Sequence, residues 1–176
     1  MLLGAISQDS LTVEMILLTH SHWDHIADCH LLQTKLGTSL YVHQQDADNV
    51  QKPGADGLPL FFPIKPATVT GSLVDGQKIK VGTLILEVIH TPGHTPGGVC
   101  FYLENKNILF SGDTLFQGSM GRIDLPTASK PEVMWSSLKR LSLLPKETIV
   151  YPGHGDPTTI GKESWIADPQ KKFGMR

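Results

Sequence analysis

Cysteine is scarce in this sequence, with only Cys29 and Cys100 among 176 residues. Two cysteines cannot form the disulfide framework that stabilises many small secreted domains. Both lie in apolar segments, so we interpret them as small buried hydrophobic residues rather than as nucleophiles. This cysteine usage favours a reducing compartment, and we therefore expect a cytoplasmic protein.

Long apolar runs and an excess of basic charge are also absent. No run approaches the ~20 residues that a membrane-spanning helix needs, and the start of the chain turns polar too early for a secretory leader. The formal net charge is -2, so no overall basic field attracts nucleic acid or an anionic membrane. We expect neither as a partner, and instead a small-molecule substrate.

The chain is long enough to bury a substantial core, and we expect residues 1–176 to form one domain. Hydrophobic residues make up 40% of the sequence and charged residues 18%, as is typical of a globular protein. Short β-rich segments alternate with helical ones, which predicts an α/β fold with a largely antiparallel or mixed sheet. We expect strands at residues 13–19, 39–42, 77–81, 83–89, 99–103, 107–110 and 148–151, and helical segments at 2–6, 25–36, 43–50, 130–144 and 160–166.

Residues 51–66 are rich in glycine and proline, which predicts a long loop. The same stretch carries four large apolar side chains, Leu58, Leu60, Phe61 and Phe62. They could form a hydrophobic flap over the core, or one wall of a substrate pocket, because long ordered loops tend to border functional sites. The sequence leaves both interpretations open.

Three histidines and an aspartate are crowded into six positions after the first predicted strand, as His20, His22, Asp24 and His25. Imidazole and carboxylate groups are ligands that zinc and similar metals prefer, and a metal site is the commonest reason to crowd them. In an extended chain His20 and His22 point the same way, whereas the adjacent Asp24 and His25 diverge. One short loop could therefore serve two metals side by side.

Three further candidate ligands follow predicted strands, each on a tight turn: His94, Asp113 and His154. A rigid sheet holds such strand-end residues in place, as a preorganised site requires. Each signal is weak alone, but together with the first motif they supply the ligands that a pair of metals needs. The histidines that match no ligand position are interpreted as structural, and these are His30, His43 and His90.

The chain resembles the metallo-β-lactamase superfamily, and within it the glyoxalase II-like (hydroxyacylglutathione hydrolase-like) short single-domain hydrolases. The resemblance rests on the seven candidate ligands and on the sequence segments around them. It implies an αββα sandwich with the metals at one edge of its sheets. The segments that carry it most specifically are 91–98 (TPGHTPGG), 111–116 (SGDTLF), 118–124 (GSMGRID) and 152–155 (PGHG).

The same resemblance implies a role for each candidate residue at a site for two divalent metal ions. We expect zinc, although iron or manganese would also bind a set of histidines and aspartates. Asp24 and Asp113 would also be catalytic carboxylates, and Arg122 would lie near the carboxylate of the substrate. The implied ligands are His20, His22 and His94 for the first metal, Asp24, His25 and His154 for the second, and Asp113 between the two.

The chemistry that such a site implies is hydrolysis of a thioester. Two metals lower the pKa of a shared water, so that hydroxide is available at neutral pH. We expect this hydroxide to attack the acyl carbonyl of a thioester such as S-lactoylglutathione. Asp113 stands where β-lactamases of the best-known class carry a cysteine, so we do not expect antibiotic hydrolysis as the main activity.

The resemblance fails before the first metal motif, because only 19 residues precede His20 and family members usually carry several strands there. We therefore expect the N-terminal strands to be absent, as in a fragment of a longer protein. If instead the chain is complete, we expect an obligate homo-oligomer that covers the exposed sheet edge. The helical domain with which larger glyoxalase II enzymes bind glutathione is also absent, which argues against tight glutathione recognition.

Three alternatives to the thioester hydrolase stay open. One is a persulfide dioxygenase of the same fold with a single iron held by ligands such as His20, His94 and Asp113. A nuclease of the superfamily is a second alternative, although the slightly acidic charge argues against it. The third is a metal-binding fragment that is inactive, or active only with a partner.

Overall fold

The computed structural model describes residues 2–174, which form two main β-sheets flanked by helices. The strands are β1 Met15–Leu17, β2 Ser39–His43, β3 Gly71–Leu73, β4 Lys78–Val81, β5 Leu84–His90, β6 Val99–Leu103, β7 Ile108–Gly112, β8 Leu115–Phe116, β9 Ser119–Met120, β10 Ile149–Pro152 and β11 Thr158–Thr159. The α-helices are α1 Leu2–Gln8, α2 Trp23–Ile26, α3 Cys29–Leu36, α4 Ala47–Gln51, α5 Pro131–Leu141 and α6 Pro169–Phe173. Short 3-10 helices cover Gln44–Asp46, Glu104–Lys106 and Ser164–Ala167. None of the helices within residues 2–174 is long and apolar enough to cross a membrane.

The sheets differ in strand direction. Three parallel strands form the smaller sheet in the order β1-β2-β3. The larger sheet has the order β11-β10-β7-β6-β5-β4 and is mixed, because β7 and β10 are parallel while its other neighbouring pairs are antiparallel. Strands β8 and β9 form a separate hairpin. The predicted α/β class with a mixed sheet is confirmed.

The core lies in three layers, one between the sheets and one under the helices on each outer side. Strand β6 shows why, since all five of its residues are buried although successive side chains point to opposite faces. Phe101 packs between the two sheets, whereas Cys100 packs under α5 on the outer face. A third cluster, which includes Cys29 of α3, covers the outer face of the smaller sheet. This order of helix, sheet, sheet and helix is the expected αββα sandwich.

Both cysteines are buried and unpaired. Burial raises the pKa of each thiol to about 11, so neither thiolate forms near neutral pH. The interpretation as small buried hydrophobic residues is therefore confirmed.

The helix expected at residues 25–36 is wrong in one respect, because the structure divides it. Helix α2 begins earlier, at Trp23, and α3 begins only at Cys29. Asp28 between them has φ −99° and ψ 1°, outside the helical region, which interrupts the hydrogen-bond ladder. The predicted end is confirmed, since Gly37 adopts a left-handed conformation and donates its N–H to the Gln33 carbonyl.

Helix α5 is shorter than the predicted 130–144. The apolar spacing of the sequence predicts a buried stripe of Val133, Leu138 and Leu141, which is wrong at one position. Met134, Leu138 and Leu141 are fully buried, whereas Val133, which we expected in the stripe, is exposed. The true stripe has the spacing of four and three that a helix presents on one face. Pro131 at the start of the helix is as expected.

The last predicted helix, at residues 160–166, is wrong. Strand β11 ends just before it, and only Ser164–Ala167 forms a 3-10 turn. Buried Glu163 accounts for the difference, because its carboxylate accepts hydrogen bonds from Thr158 Oγ1, Trp165 Nε1 and the backbone N–H of Gly118. These contacts, of which the one to Gly118 is long-range, override the local helical pattern. Helix α6, which follows, was not predicted.

The packing of α5 leads to a stability prediction. Leu138 is fully buried, so Leu138→Ala should lower the free energy of unfolding by about 2–5 kcal/mol through lost burial and a residual cavity. Leu143, which is 84% exposed just beyond the same helix, provides a matched control, and Leu143→Ala should change stability by less than about 0.5 kcal/mol. Urea denaturation measures both, and equal losses would contradict this packing.

Candidate metal centre

The seven predicted ligands lie together at one edge of the sandwich because of strand direction. Strands β5, β7 and β10 run the same way, since β6 is antiparallel to both β5 and β7 and β10 is parallel to β7. Their carboxyl ends therefore meet at one edge. Strand β1 ends there too, as the N–H of Val99 at the start of β6 donates to the Thr19 carbonyl at 2.8 Å. The residues that follow these four strands are His20, His22, Asp24 and His25 after β1, His94 after β5, Asp113 after β7 and His154 after β10.

The first group of ligand atoms is formed by three buried histidines, His20, His22 and His94. One nitrogen from each lies within 4.8 Å of the others. His22 Nδ1 is only 2.8 Å from His94 Nε2, a separation at which two lone pairs need a proton or a cation between them.

The second group is more exposed and contains Asp24, His25 and His154. His154 Nε2 lies 3.0 Å from Asp24 Oδ2 and 3.3 Å from His25 Nε2. The short helix α2 places Asp24 and His25 one after the other, so both side chains reach this group although a strand would separate them.

Asp113 lies between the two groups. Its Oδ2 is 3.4 Å from His94 Nε2 in the first group, and its Oδ1 is 3.4 Å from His25 Nε2 in the second. Burial alone would raise the pKa of this carboxyl, but the neighbouring His25 and His94 hold the pKa well below its ordinary value. Asp113 is therefore a carboxylate that both groups share.

Several buried polar atoms in the cluster have no hydrogen-bond partner within residues 2–174. They include His20 Nε2 and Asp113 Oδ1, and burying such atoms unpaired is costly. A cation at the centre of the cluster would satisfy both. Because imidazole and carboxylate groups suit divalent metals, the residues present fit a divalent metal site.

The ring nitrogens are also in the correct protonation state for ligands. Burial is the main reason that the pKa of His22 falls to about 4 and that of His20 falls well below its usual value, followed by neighbouring histidines. Both rings are therefore neutral at pH 7. His94 Nδ1 donates to the carbonyl of Arg122 at 2.7 Å, which leaves the lone pair on His94 Nε2 directed at the cluster.

Two glycines allow the backbone to approach the ligands closely. Gly112 turns the chain just before Asp113 with φ +50°, a conformation that favours glycine. A Cβ at Gly153 would collide with Asp113 Oδ1. The glycines beside Asp113 and His154 are therefore required by space and by backbone conformation.

Asp46 is a site residue that the sequence reasoning missed. This buried carboxylate accepts hydrogen bonds from the N–H of Ser21 at 2.9 Å, from Thr95 Oγ1 at 2.8 Å and from the N–H of Gly97 at 2.7 Å. It thus ties the loop of His20 and His22 to the loop of His94. A single aspartate in a polar helical turn carries no motif, so nothing in the sequence distinguished it.

Three polar residues beside the predicted ligands act on them in two different ways. Thr19 Oγ1 lies 3.2 Å from His20 Nδ1, so it contacts a ligand ring directly. Ser21 and Thr95 instead bind Asp46, and they act on the ligands through the backbone.

A cleft of about 400 Å³ opens onto the cluster. His22, Asp24, His94 and Asp113 form one side, and the loop at residues 51–66 contributes Leu58, Pro59 and Phe61. The structure thus supports the pocket-wall interpretation of that loop. The rest of the lining consists of Trp23, Arg122 and Leu125.

Arg122 lines the cleft as expected, but its guanidinium group already has a partner. Its Nε and Nη2 donate to the two carboxylate oxygens of Asp124 at 2.8 and 2.9 Å. Both side chains are about two-thirds exposed. A contact of Arg122 with a substrate carboxylate stays a prediction.

The three other histidines lie outside the ligand groups formed by the described residues. His30 Nδ1 donates to the Pro66 carbonyl at 2.8 Å. His43 and His90 stack with their ring centroids 4.2 Å apart, and His90 Nε2 donates to the Pro96 carbonyl. These contacts agree with structural roles.

Comparison with known proteins gives consistent matches. A sequence model described as Metallo-beta-lactamase superfamily matches residues 1–154. The chain is 34% identical to the Probable metallo-hydrolase YqgX of Bacillus subtilis, over 88% of this chain and 74% of that protein. It is 30% identical to the Hydroxyacylglutathione hydrolase GloC of Haemophilus influenzae, over 92% of this chain and 78% of that protein.

Solved structures agree with the fold. A crystal structure titled BLEG-1 B3 metallo-beta-lactamase superposes with a TM-score of 0.86 at 36% identity, covering 92% of this chain and 79% of that one. TTHA1623, solved in a di-iron-bound form, gives 0.79 at 41% identity, covering 93% and 80%.

The two ligand groups predict how substitutions change metal content. We expect about two divalent ions per chain in the wild type, about one in His154→Ala, and fewer than two in His22→Ala, because each variant removes a ligand from one group. His30→Ala removes a histidine outside both groups and should keep the full content. Elemental analysis of the purified proteins measures this, with circular dichroism to verify folding. Equal losses in His30→Ala and His154→Ala would contradict the assignment.

The contacts of Asp46 predict a structural effect. Asp46→Ala leaves buried donors on both ligand loops unpaired, so the free energy of unfolding should fall by about 3 kcal/mol and metal content should drop. Asp48 is the control, because it is an exposed aspartate two residues further along the chain. Its ion pair within the described residues is with Lys52, and Asp48→Ala should lower the free energy of unfolding by less than about 0.5 kcal/mol. Chemical denaturation of the metal-loaded proteins distinguishes the two. Similar stability of both variants would disprove the role of Asp46.

Proposed function

The chain belongs to the metallo-beta-lactamase superfamily, most members of which are metal-dependent hydrolases, and on this premise we propose that it hydrolyses thioesters with two divalent metal ions. The observation that carries the proposal is the pair of ligand groups that meet at Asp113 beneath an open cleft. A pair of metals bridged by a carboxylate suits hydrolysis of an acyl group. The likeness to a hydroxyacylglutathione hydrolase supports a thioester of that type, such as S-lactoylglutathione.

The proposed ligand assignment follows the two groups. In it, His20, His22 and His94 hold one ion, and Asp113 is shared with the second. The remaining ligands of the second ion are Asp24, His25 and His154. We propose zinc as the first ion to test, because neutral imidazoles with carboxylates suit it. Iron is the next, since a relative of known structure holds two irons, and manganese is the third.

When bound, such ions supply a water with a pKa near neutrality and polarise the carbonyl to be attacked. The protein positions this chemistry by holding its ligands on rigid strand ends. Asp24 and Asp113 are the carboxylates that line the cleft. We assign to Asp24, the more exposed of the two, the role of accepting the proton that the attacking water loses, because its position gives that proton a route to solvent.

Hydrolysis of a β-lactam is a second candidate, because one similar structure is titled a B3 metallo-beta-lactamase. The argument from Asp113 against antibiotic hydrolysis concerned the class that carries a cysteine, so it does not exclude this candidate. A cyclic amide and a thioester present the same acyl carbonyl to the site, and they differ in the leaving group.

We further propose that the substrate is a small molecule and that neither nucleic acid nor a membrane is a partner. The described cleft supports this, since its lining contains a single cation, Arg122, whereas binding a phosphate backbone needs several. The single-domain organisation, the cytoplasmic location and the homo-oligomer stay predictions. Gel filtration combined with light scattering tests the last of these.

The activity test uses metal-loaded protein with S-lactoylglutathione and with a chromogenic cephalosporin. We expect thioester turnover that a chelator abolishes and added zinc, iron or manganese restores. His22→Ala and Asp113→Ala should each lose at least about 100-fold, since even residues that only orient metal ligands contribute up to that much.

Matched controls and alternatives make this test decisive. His30→Ala should keep full activity because His30 contacts only a loop carbonyl. Preferred turnover of the cephalosporin would favour the second candidate. One iron per chain with oxygen uptake on glutathione persulfide would replace the hydrolase by a dioxygenase, and no turnover of any substrate would leave a binding protein.

A further inference from the structure

One side of the cleft is apolar and begins between two metal ligands. We call Trp23, Leu58, Phe61 and Leu125 the apolar wall, since all four line the cleft. Trp23 stands in the chain directly between His22 and Asp24. Its ring meets that of Phe61 at 5.1 Å between centroids, in an edge-to-face arrangement that stabilises aromatic pairs. The apolar wall is thus continuous with the metal centre.

The aromatic side chains of this wall are held open to solvent. Phe61 is 74% exposed, and the adjacent Phe62, whose ring centroid lies 5.8 Å from that of Trp23, is 48% exposed. Exposed phenylalanine rings forgo the free energy of burial that they would gain in the core. Two of them next to a reactive centre indicate a binding surface rather than a structural one.

The loop that carries Phe61 is held by hydrogen bonds to Asn49 of helix α4. Asn49 accepts the N–H of Gly54 and donates to Asp56, whose other carboxylate oxygen accepts the N–H of Leu58 at 3.0 Å. Asn49 also donates to the carbonyl of Ser21, between the ligands His20 and His22. Hydrogen bonds therefore tie Leu58 of the apolar wall to the metal loop, three residues before Phe61.

Apart from the proposed metal ions, the side chains of the cleft offer little to a substrate carboxylate. Among the described lining residues Arg122 is the single cation, and Asp124 already binds two of its donors. The net charge of this pair is zero. A substrate recognised mainly by its carboxylates, as a glutathione conjugate would be, has no unpaired cation in the lining to bind.

We propose that the substrate carries an apolar group next to its reactive carbonyl and that this group packs on the apolar wall. The inference rests on the proposed thioester hydrolysis and specifies its substrate class as neutral, apolar thioesters. The apolar group belongs either to the acyl part or to the thiol part. Each methylene buried against the wall should raise kcat/KM about fourfold.

The test uses the metal-loaded wild type and two series of uncharged thioesters. One series lengthens the acyl chain on N-acetylcysteamine, and the other lengthens an alkyl thiol on an acetyl group. We expect kcat/KM to rise about fourfold per methylene in one series, which identifies the part that binds the wall. S-lactoylglutathione should be a poorer substrate than the longer members of that series.

Variants of the wall supply the second readout. Phe61→Ala should flatten the dependence on chain length, mainly through KM. Phe61→Leu should restore most of the dependence, because it restores apolar area. Leu143→Ala removes a similarly exposed apolar residue outside the cleft and should leave both the activity and its dependence on chain length unchanged.

Each result decides between the proposals. Thioesters that are all hydrolysed with no dependence on chain length, or a dependence that Phe61→Ala leaves intact, overturn this inference and keep the proposed function. A preference for S-lactoylglutathione over every neutral thioester also overturns this inference and keeps the proposed function. If no thioester is hydrolysed by metal-loaded protein, the proposed function fails and this inference fails with it.

Discussion

Strands β5, β7 and β10 run in one direction, and the end of β1 is tied to the start of β6 at the same edge of the sandwich. Everything in the metal centre depends on this shared direction. The ligand loops come from four distant parts of the chain, and only the sheet brings them together. Because side chains at strand ends inherit the rigidity of the sheet, the protein can hold neutral histidines and a carboxylate in place without a partner group for each.

Placing these histidines and carboxylates so close together costs the protein free energy when no ion is bound. Burial lowers the pKa of His20 and of His22, so these rings carry no charge at pH 7. The shared carboxylate of Asp113 has one oxygen without a hydrogen-bond partner among the described residues, and His22 Nδ1 lies 2.8 Å from His94 Nε2. Gly153 permits this crowding, because a Cβ at that position would collide with Asp113 Oδ1. The arrangement therefore favours the binding of a cation, since a bound ion relieves these unfavourable contacts and unpaired groups together.

The sequence predicted which residues would cluster at this edge, because each stands next to a recognisable turn after an apolar strand. Positions that depend on long-range contacts were not predictable in this way. Asp46 looks like any polar residue of a helical turn, and its importance arises only when Ser21, Thr95 and Gly97 converge on it. Glu163 similarly converts an apparent helix into a strand and a turn through its contact with Gly118. In α5 the sequence pattern placed Val133 in the buried stripe instead of Met134, because both residues are apolar and only packing distinguishes them.

His94 is oriented by the backbone carbonyl at position 122 and not by a side chain. Every amino acid supplies that carbonyl, so the identity of the residue there is free to change without disturbing the metal centre. The side chain at the same position faces the cleft. At position 122 the backbone therefore orients His94, whereas the side chain lines the cleft. A substitution there changes which molecules the cleft admits and leaves the metal centre intact. This separation favours the evolution of new substrate preferences on one scaffold.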